Sequence, residues 1–235
     1  MSLLPFPSAL PKYPLTVVGI IVALIGLRLL VSGLAELYFY SLPMVGGWLK
    51  SLEIIEVVNV PVFVLLGLAL GLASWYLPTK TTLGLKLMAL VLAFPLVFFS
   101  SYAFRYHLWL GHLINQPGAG ASPQEVITLT NLVLQQESGH QGLLGYYCTT
   151  VKMPILPNTV TDLRRMAENQ KWFRSELTRF SGVEPGIFSL VFNGAGWAIR
   201  IFYLLLALLT SVIYFFKGLT WVDLHRLRRL VQPRP

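Results

Sequence analysis

Four stretches of predominantly apolar residues dominate this chain, and each is long enough to cross a lipid bilayer as a helix. They run roughly Leu15 to Tyr40, Val57 to Leu77, Leu83 to Phe104 and Ile187 to Phe216. A hydrocarbon core of ~30 Å needs about 20 residues at ~1.5 Å per residue. Lipid gives the backbone no hydrogen-bond partners, and the stretches lack the period-two alternation of a barrel, so helices are expected. The predicted class is an all-α integral membrane protein of four transmembrane helices, with helical character continuing past Phe104 toward Ile114. Trp48, Trp75, Tyr76 and Trp221 fall near predicted ends, where amphipathic rings sit at headgroup level.

The composition agrees. Of 235 residues, 55% are apolar and 12% charged, where a soluble domain carries about 25% charged. One soluble core could not hide that apolar surface, whereas a bilayer accepts it on the outside of a bundle. The net charge of +8 does not imply nucleic acid, because the basic residues flank apolar spans and do not interleave with aromatics along one groove. Cys148 is the only cysteine, which excludes an intramolecular disulfide and any multi-cysteine metal site.

The chain divides as a proline-rich segment 1–14, transmembrane helices 1–3 over 15–104, an extramembrane loop 105–186, transmembrane helix 4 over 187–217 and a basic amphipathic tail 218–235. The first span is expected to be a retained anchor, since its apolar run exceeds a signal-peptide core. Lys12, Lys80, Lys86, Lys217, Arg226, Arg228, Arg229 and Arg234 collect on one side. The opposite short loop sets Lys50 against Glu53 and Glu56. The positive-inside rule then places both termini on the cytoplasmic, stromal or matrix side. A bacterial inner membrane, a thylakoid and a mitochondrial inner membrane all fit.

The long loop is expected to be ordered and partly helical. Ser122, Pro123 and Glu125 form a helix start, with Ser at the N-cap. Val126, Leu129 and Val133 follow at helical spacing, and Gly139 ends the run. A second helix begins near Thr159 and Thr161 and carries an apolar stripe of Leu163, Met166, Phe173, Leu177 and Phe180, interrupted by Gln170. The segment between, from Gly142 to Pro157, reads as irregular. After Gly218 a short amphipathic helix is predicted, with Trp221, Leu224, Leu227 and Leu230 on its apolar side. Its Arg226, Arg228 and Arg229 can meet anionic headgroups or simply mark the end of the span.

Two arginines fall within the spans. Arg28, Ser32 and Glu36 are spaced i, i+4, i+8 on one face of the first, and Arg200 lies in the fourth. A permanent charge at that depth marks a functional site and calls for an anionic neighbour: a lipid phosphate, a cofactor carboxylate or an acid of another subunit. The structural alternative pairs Glu36 with one arginine and lets the other meet carbonyls or snorkel. Gly67-x-x-x-Gly71 and Gly194-x-x-x-Ala198 mark close helix packing, within the chain or against a neighbour.

His107, His112, Glu137 and His140 suggest a metal site, with Glu137 and His140 in Glu-x-x-His spacing. Di-iron bundles use two such motifs and this chain has one. Haem ligation by His107 or His112 is a variant. No catalytic residue is assigned and no cofactor is named. The leading functional expectation is a non-catalytic subunit, scaffold or assembly factor of a larger membrane complex. Its partners would be membrane lipids and other integral membrane subunits, with lipid or a hydrophobic cofactor as ligand. An oligomeric small transporter or channel, with Arg28 and Arg200 lining an anion or lipid path, is the alternative. A metal- or haem-dependent membrane enzyme is the third.

Overall fold

The computed structural model describes residues 12–39, 53–116, 120–153, 156–168 and 186–231, and the described residues form helices with no strand. Among the described residues seven α-helices follow in order: α1 (Lys12–Leu34), α2 (Ile54–Ala73), α3 (Leu83–Ile114), α4 (Pro123–Ser138), α5 (Gly142–Lys152), α6 (Val160–Ala167) and α7 (Gly186–Val231). A π-helical turn, Ala35–Phe39, extends α1, and a 3-10 turn, Ser74–Tyr76, extends α2. Among the described residues, three segments are long and apolar enough to cross a membrane: Lys12–Tyr38, Leu83–Ile114 and Gly194–Arg229. The apolar part of α2, Val60–Tyr76, is shorter. Leu15, Val22, Val91, Leu96, Phe202 and Leu209 are all exposed, the outward apolar surface that lipid tolerates and water does not.

The chain clusters into two compact units, one of Met1–Leu30, Val58–Ser100 and Leu204–Pro235, the other of Val31–Val57 and Ser101–Tyr203. In the first unit, glycines set the packing of α2 on α7. A Cβ at Gly67 would overlap the Ser211 carbonyl, and one at Gly71 would come within 2.9 Å of Gly218 Cα. Ser211 Oγ donates to the Phe63 carbonyl at 3.2 Å, so the close approach also carries a hydrogen bond between helices. Leu66, Leu70, Val97, Phe98 and Phe215 are buried here, and Phe63 packs on Phe94 with ring centroids 5.4 Å apart.

In the second unit, the loop helices form a small core against the far end of α3. Leu113, Val126, Val133, Met153, Val160 and Leu163 are buried together. Ser122 Oγ accepts from the Glu125 amide at 3.2 Å, and Gly139 ends α4 with φ 78°, a left-handed cap that suits glycine. Thr159 caps α6 by accepting from the Asp162 amide at 3.0 Å. Trp109 Nε1 donates to the Pro157 carbonyl at 2.9 Å, and Gln116 Oε1 accepts from the Val160 amide at 3.1 Å, so side chains of α3 and its end fasten the connection between α5 and α6.

Three expectations change in the structure. The fourth span and the tail are one unbroken helix of 46 residues. Gly218 does not stop it, because the glycine is used for contact: a Cβ there would meet the Leu68 carbonyl at 2.6 Å. Residues 142–152, read as irregular, form α5. Its glycines hide the pattern, since Gly145 packs under the His140 carbonyl, where no Cβ fits, while Tyr146, Thr149 and Val151 are buried. The helix over the second apolar stretch starts before Val57, at Ile54, and takes Pro61 into its interior. Tyr40, Trp48, Lys50, Gln170, Phe173, Leu177, Phe180 and Arg234 lie outside the described residues.

Candidate buried charge site

The second unit holds a polar cluster built from four elements. Arg200 comes from α7, Tyr102 from α3, Tyr147 and Thr150 from α5, and Glu53 from the turn that opens α2. Arg200 is 1% exposed and Glu53 7%, so the cation and the carboxylate are both withdrawn from water. Arg200 Nε donates to Glu53 Oε1 at 2.7 Å, and its Nη2 reaches the same oxygen. Nη1 donates to the Tyr147 carbonyl, and Nη2 also contacts Thr150 Oγ1 at 3.3 Å. The other Glu53 oxygen accepts from the Tyr102 hydroxyl at 3.3 Å.

The guanidinium is also flanked by rings. Its carbon lies 5.0 Å from the Tyr102 centroid and 4.5 Å from that of Tyr147, and the two rings meet edge to face at 4.9 Å. A desolvated cation over aromatic faces gains on the order of 2 kcal/mol. Such a pair must recover a desolvation cost of several kcal/mol per ion, which requires good geometry and further hydrogen bonds. Glu53 takes φ 48°, a left-handed conformation uncommon outside glycine and a mark of local strain. Burial raises the Tyr147 phenol above the ordinary tyrosine value, with Arg200 pulling the other way.

The predicted residues distribute as follows. Arg28 is fully buried in the first unit, its guanidinium carbon 5.0 Å from the Phe63 centroid and 5.4 Å from that of Phe98. Ser32 is buried in the second unit, and its hydroxyl has no hydrogen-bond partner among the described residues. Glu36 Oε1 accepts from Arg105 Nε at 2.8 Å. The anion beside Arg200 is supplied from within the chain by Glu53. Gly67 and Gly71 face α7, whereas Gly194 and Ala198 are exposed and a Cβ at Gly194 would meet nothing within 4 Å.

Arg226 turns inward within the first unit. Its Nη2 donates to the carbonyls of Ser74, Trp75 and Leu77 at 3.2, 2.9 and 2.8 Å, closing the acceptor groups that end α2. Arg228, Arg229 and Trp221 are exposed. His107 and His112 line one open cavity of about 640 Å³ with Asn115 and Gln116. Glu137 lies on α4, where its carbonyl accepts from Lys152 Nζ at 3.3 Å, and His140 is exposed in the turn that follows. Among the described residues, no group of three or more His, Cys, Asp or Glu side chains comes together as a metal site would require.

Glu53, Tyr102, Arg105 and Tyr147 join the buried charges without a sequence motif that singles them out. The signal for Glu53 was present, since an acid next to an apolar span is the cheapest partner for an arginine inside another. Comparison with protein-family models, curated proteins and solved structures finds no match.

Proposed function

We propose that this chain is a non-catalytic multi-pass membrane protein that serves as a subunit, scaffold or assembly factor of a larger membrane complex. The observation that carries this reading is the state of Arg200. Its donors are taken up by Glu53, the Tyr147 carbonyl and Thr150, and its faces by two tyrosine rings. A cation held in that way stiffens the helices around it. It is not poised to pass an anion or to hold a substrate, as a transport path would require.

A second feature supports a neighbour in the membrane. Gly194 and Ala198 lie exposed on α7, and Gly19, Ala23 and Gly26 lie exposed on α1. Small residues on open helix faces allow another helix to approach closely. In this reading four helices span the bilayer, α2 included, and both termini lie on the cytoplasmic, stromal or matrix side.

Extraction in a mild detergent, followed by sizing and mass spectrometry, tests the proposal. The chain should migrate well above its own 26.3 kDa with another integral membrane protein in constant ratio. Migration as a lone chain, with no partner at constant ratio, contradicts it.

A further inference from the structure

We propose that the first unit carries a binding site for an anionic phospholipid, formed between the end of α2 and the last third of α7. The site does not depend on the scaffold reading. It rests on a cavity of about 750 Å³, within the ~300–1,000 Å³ range of small-ligand pockets.

The lining divides by chemistry. Ala69, Leu72 and Ala73 of α2, with Val222 and Leu224 of α7, give apolar walls. Trp75 and Trp221 add aromatic surface, and His225, Arg228 and Arg229 supply the polar part. Among the described residues no carboxylate lines the cavity, and Arg228 and Arg229 give it a cationic rim. An apolar cleft with a cationic rim fits a molecule with acyl chains and a phosphate. Free phosphate would leave the walls empty.

Position along the helices agrees. Trp75 and Tyr76 follow the apolar run of α2, Thr16 lies one turn into α1, and Trp221 comes just after Lys217 ends the apolar run of α7. These are the levels at which helices leave hydrocarbon and aromatic side chains meet headgroups. Arg228 and Arg229 stand about two turns further out, ~10 Å by helix rise. Trp221, Leu224 and Leu227 are 62%, 48% and 57% exposed, leaving an open apolar edge beside the cavity at the level of the interface.

The arginines are held for the task. Arg226 anchors α7 to the carbonyls that end α2, which fixes the wall. Arg229 stacks 4.9 Å from the Trp75 centroid. A guanidinium stacked on a ring keeps its N–H donors at its edge, in the planar fork that matches phosphate oxygens. Arg228 approaches from the adjacent position on the same helix.

The test uses the full chain in phosphatidylcholine vesicles doped with spin-labelled phosphatidylglycerol or spin-labelled phosphatidylcholine. The motionally restricted fraction should favour the anionic lipid several-fold, and inorganic phosphate should not displace it. R228Q/R229Q should remove the preference, and R228K/R229K should retain much of it. Equal fractions for the two lipids in the unaltered chain overturn the proposal, as does a preference that survives in R228Q/R229Q. Displacement by inorganic phosphate overturns it in favour of a free-anion site. Should R228Q/R229Q fail to fold, tryptophan quenching by brominated phosphatidylglycerol in the unaltered chain and in W221F decides: excess quenching lost in W221F supports the site, and none in the unaltered chain overturns it.

Discussion

Arg200 and Glu53 stand 147 residues apart in sequence and share a buried hydrogen bond of 2.7 Å. The bond ties α7 to the turn that opens α2, and Tyr102 and Tyr147 close over it from α3 and α5. Four elements of the second unit therefore depend on one charge pair. Removing either partner leaves the other buried and uncompensated.

Glycine at the contact of α2 with α7 gives a prediction about packing. Gly67→Leu and Gly71→Leu place side-chain atoms where the α7 backbone already is. Overpacking of that kind costs ~1–3 kcal/mol or more. Both should lower the thermal midpoint in detergent. A Cβ at Gly194 meets nothing within 4 Å among the described residues, so Gly194→Leu should leave the midpoint unchanged, while reducing recovery of any partner that packs on that face. A midpoint that falls with Gly194→Leu and holds with Gly67→Leu reverses this assignment.

Arg226 predicts a local weakening. Charge-assisted hydrogen bonds contribute about 1.5–3 kcal/mol each at most, and one Arg226 nitrogen serves three carbonyls, so Arg226→Gln should cost about 1–2 kcal/mol. Hydrogen exchange at the amides near Trp75 should quicken in that variant more than exchange elsewhere in α2. Uniform change along the helix would argue against a cap.

Legibility in the sequence followed the range of each interaction. Apolar runs and the Ser122 cap are local, so the helical class and the start of α4 could be read directly. Glu53 and Glu56 looked like loop charges beside Lys50, because periodicity reports which residues share a face and nothing about which faces meet. In the sequence Arg105 opens the loop and Glu36 continues the Arg28 stripe, yet the two pair with each other at 2.8 Å. Gly218 reads as the boundary between span and tail, since a residue that favours turns and one that permits close contact are the same residue.

Tyr146 gives a pH prediction outside the candidate spans. Burial raises its phenol above the ordinary value of 10.0, partly offset by Arg105. The folded chain thus holds this proton more tightly than the unfolded chain does. Stability from the neutral phenol is fully present below about pH 10 and is lost as pH rises through the folded value. Tyr146→Phe should flatten the alkaline fall in the stability of the loop helices, read by helical circular dichroism against pH. An identical alkaline limb in the variant would contradict this.

A double-mutant cycle on Arg200 and Glu53 is the most direct test that the cation within the span is structural. Arg200→Met and Glu53→Leu should each destabilise by ~3–5 kcal/mol in reversible detergent unfolding, and the double variant by clearly less than their sum. Additive effects, or an Arg200→Met chain as stable as the unaltered one, would contradict the internal pairing and return Arg200 to the role of a binding or transport group.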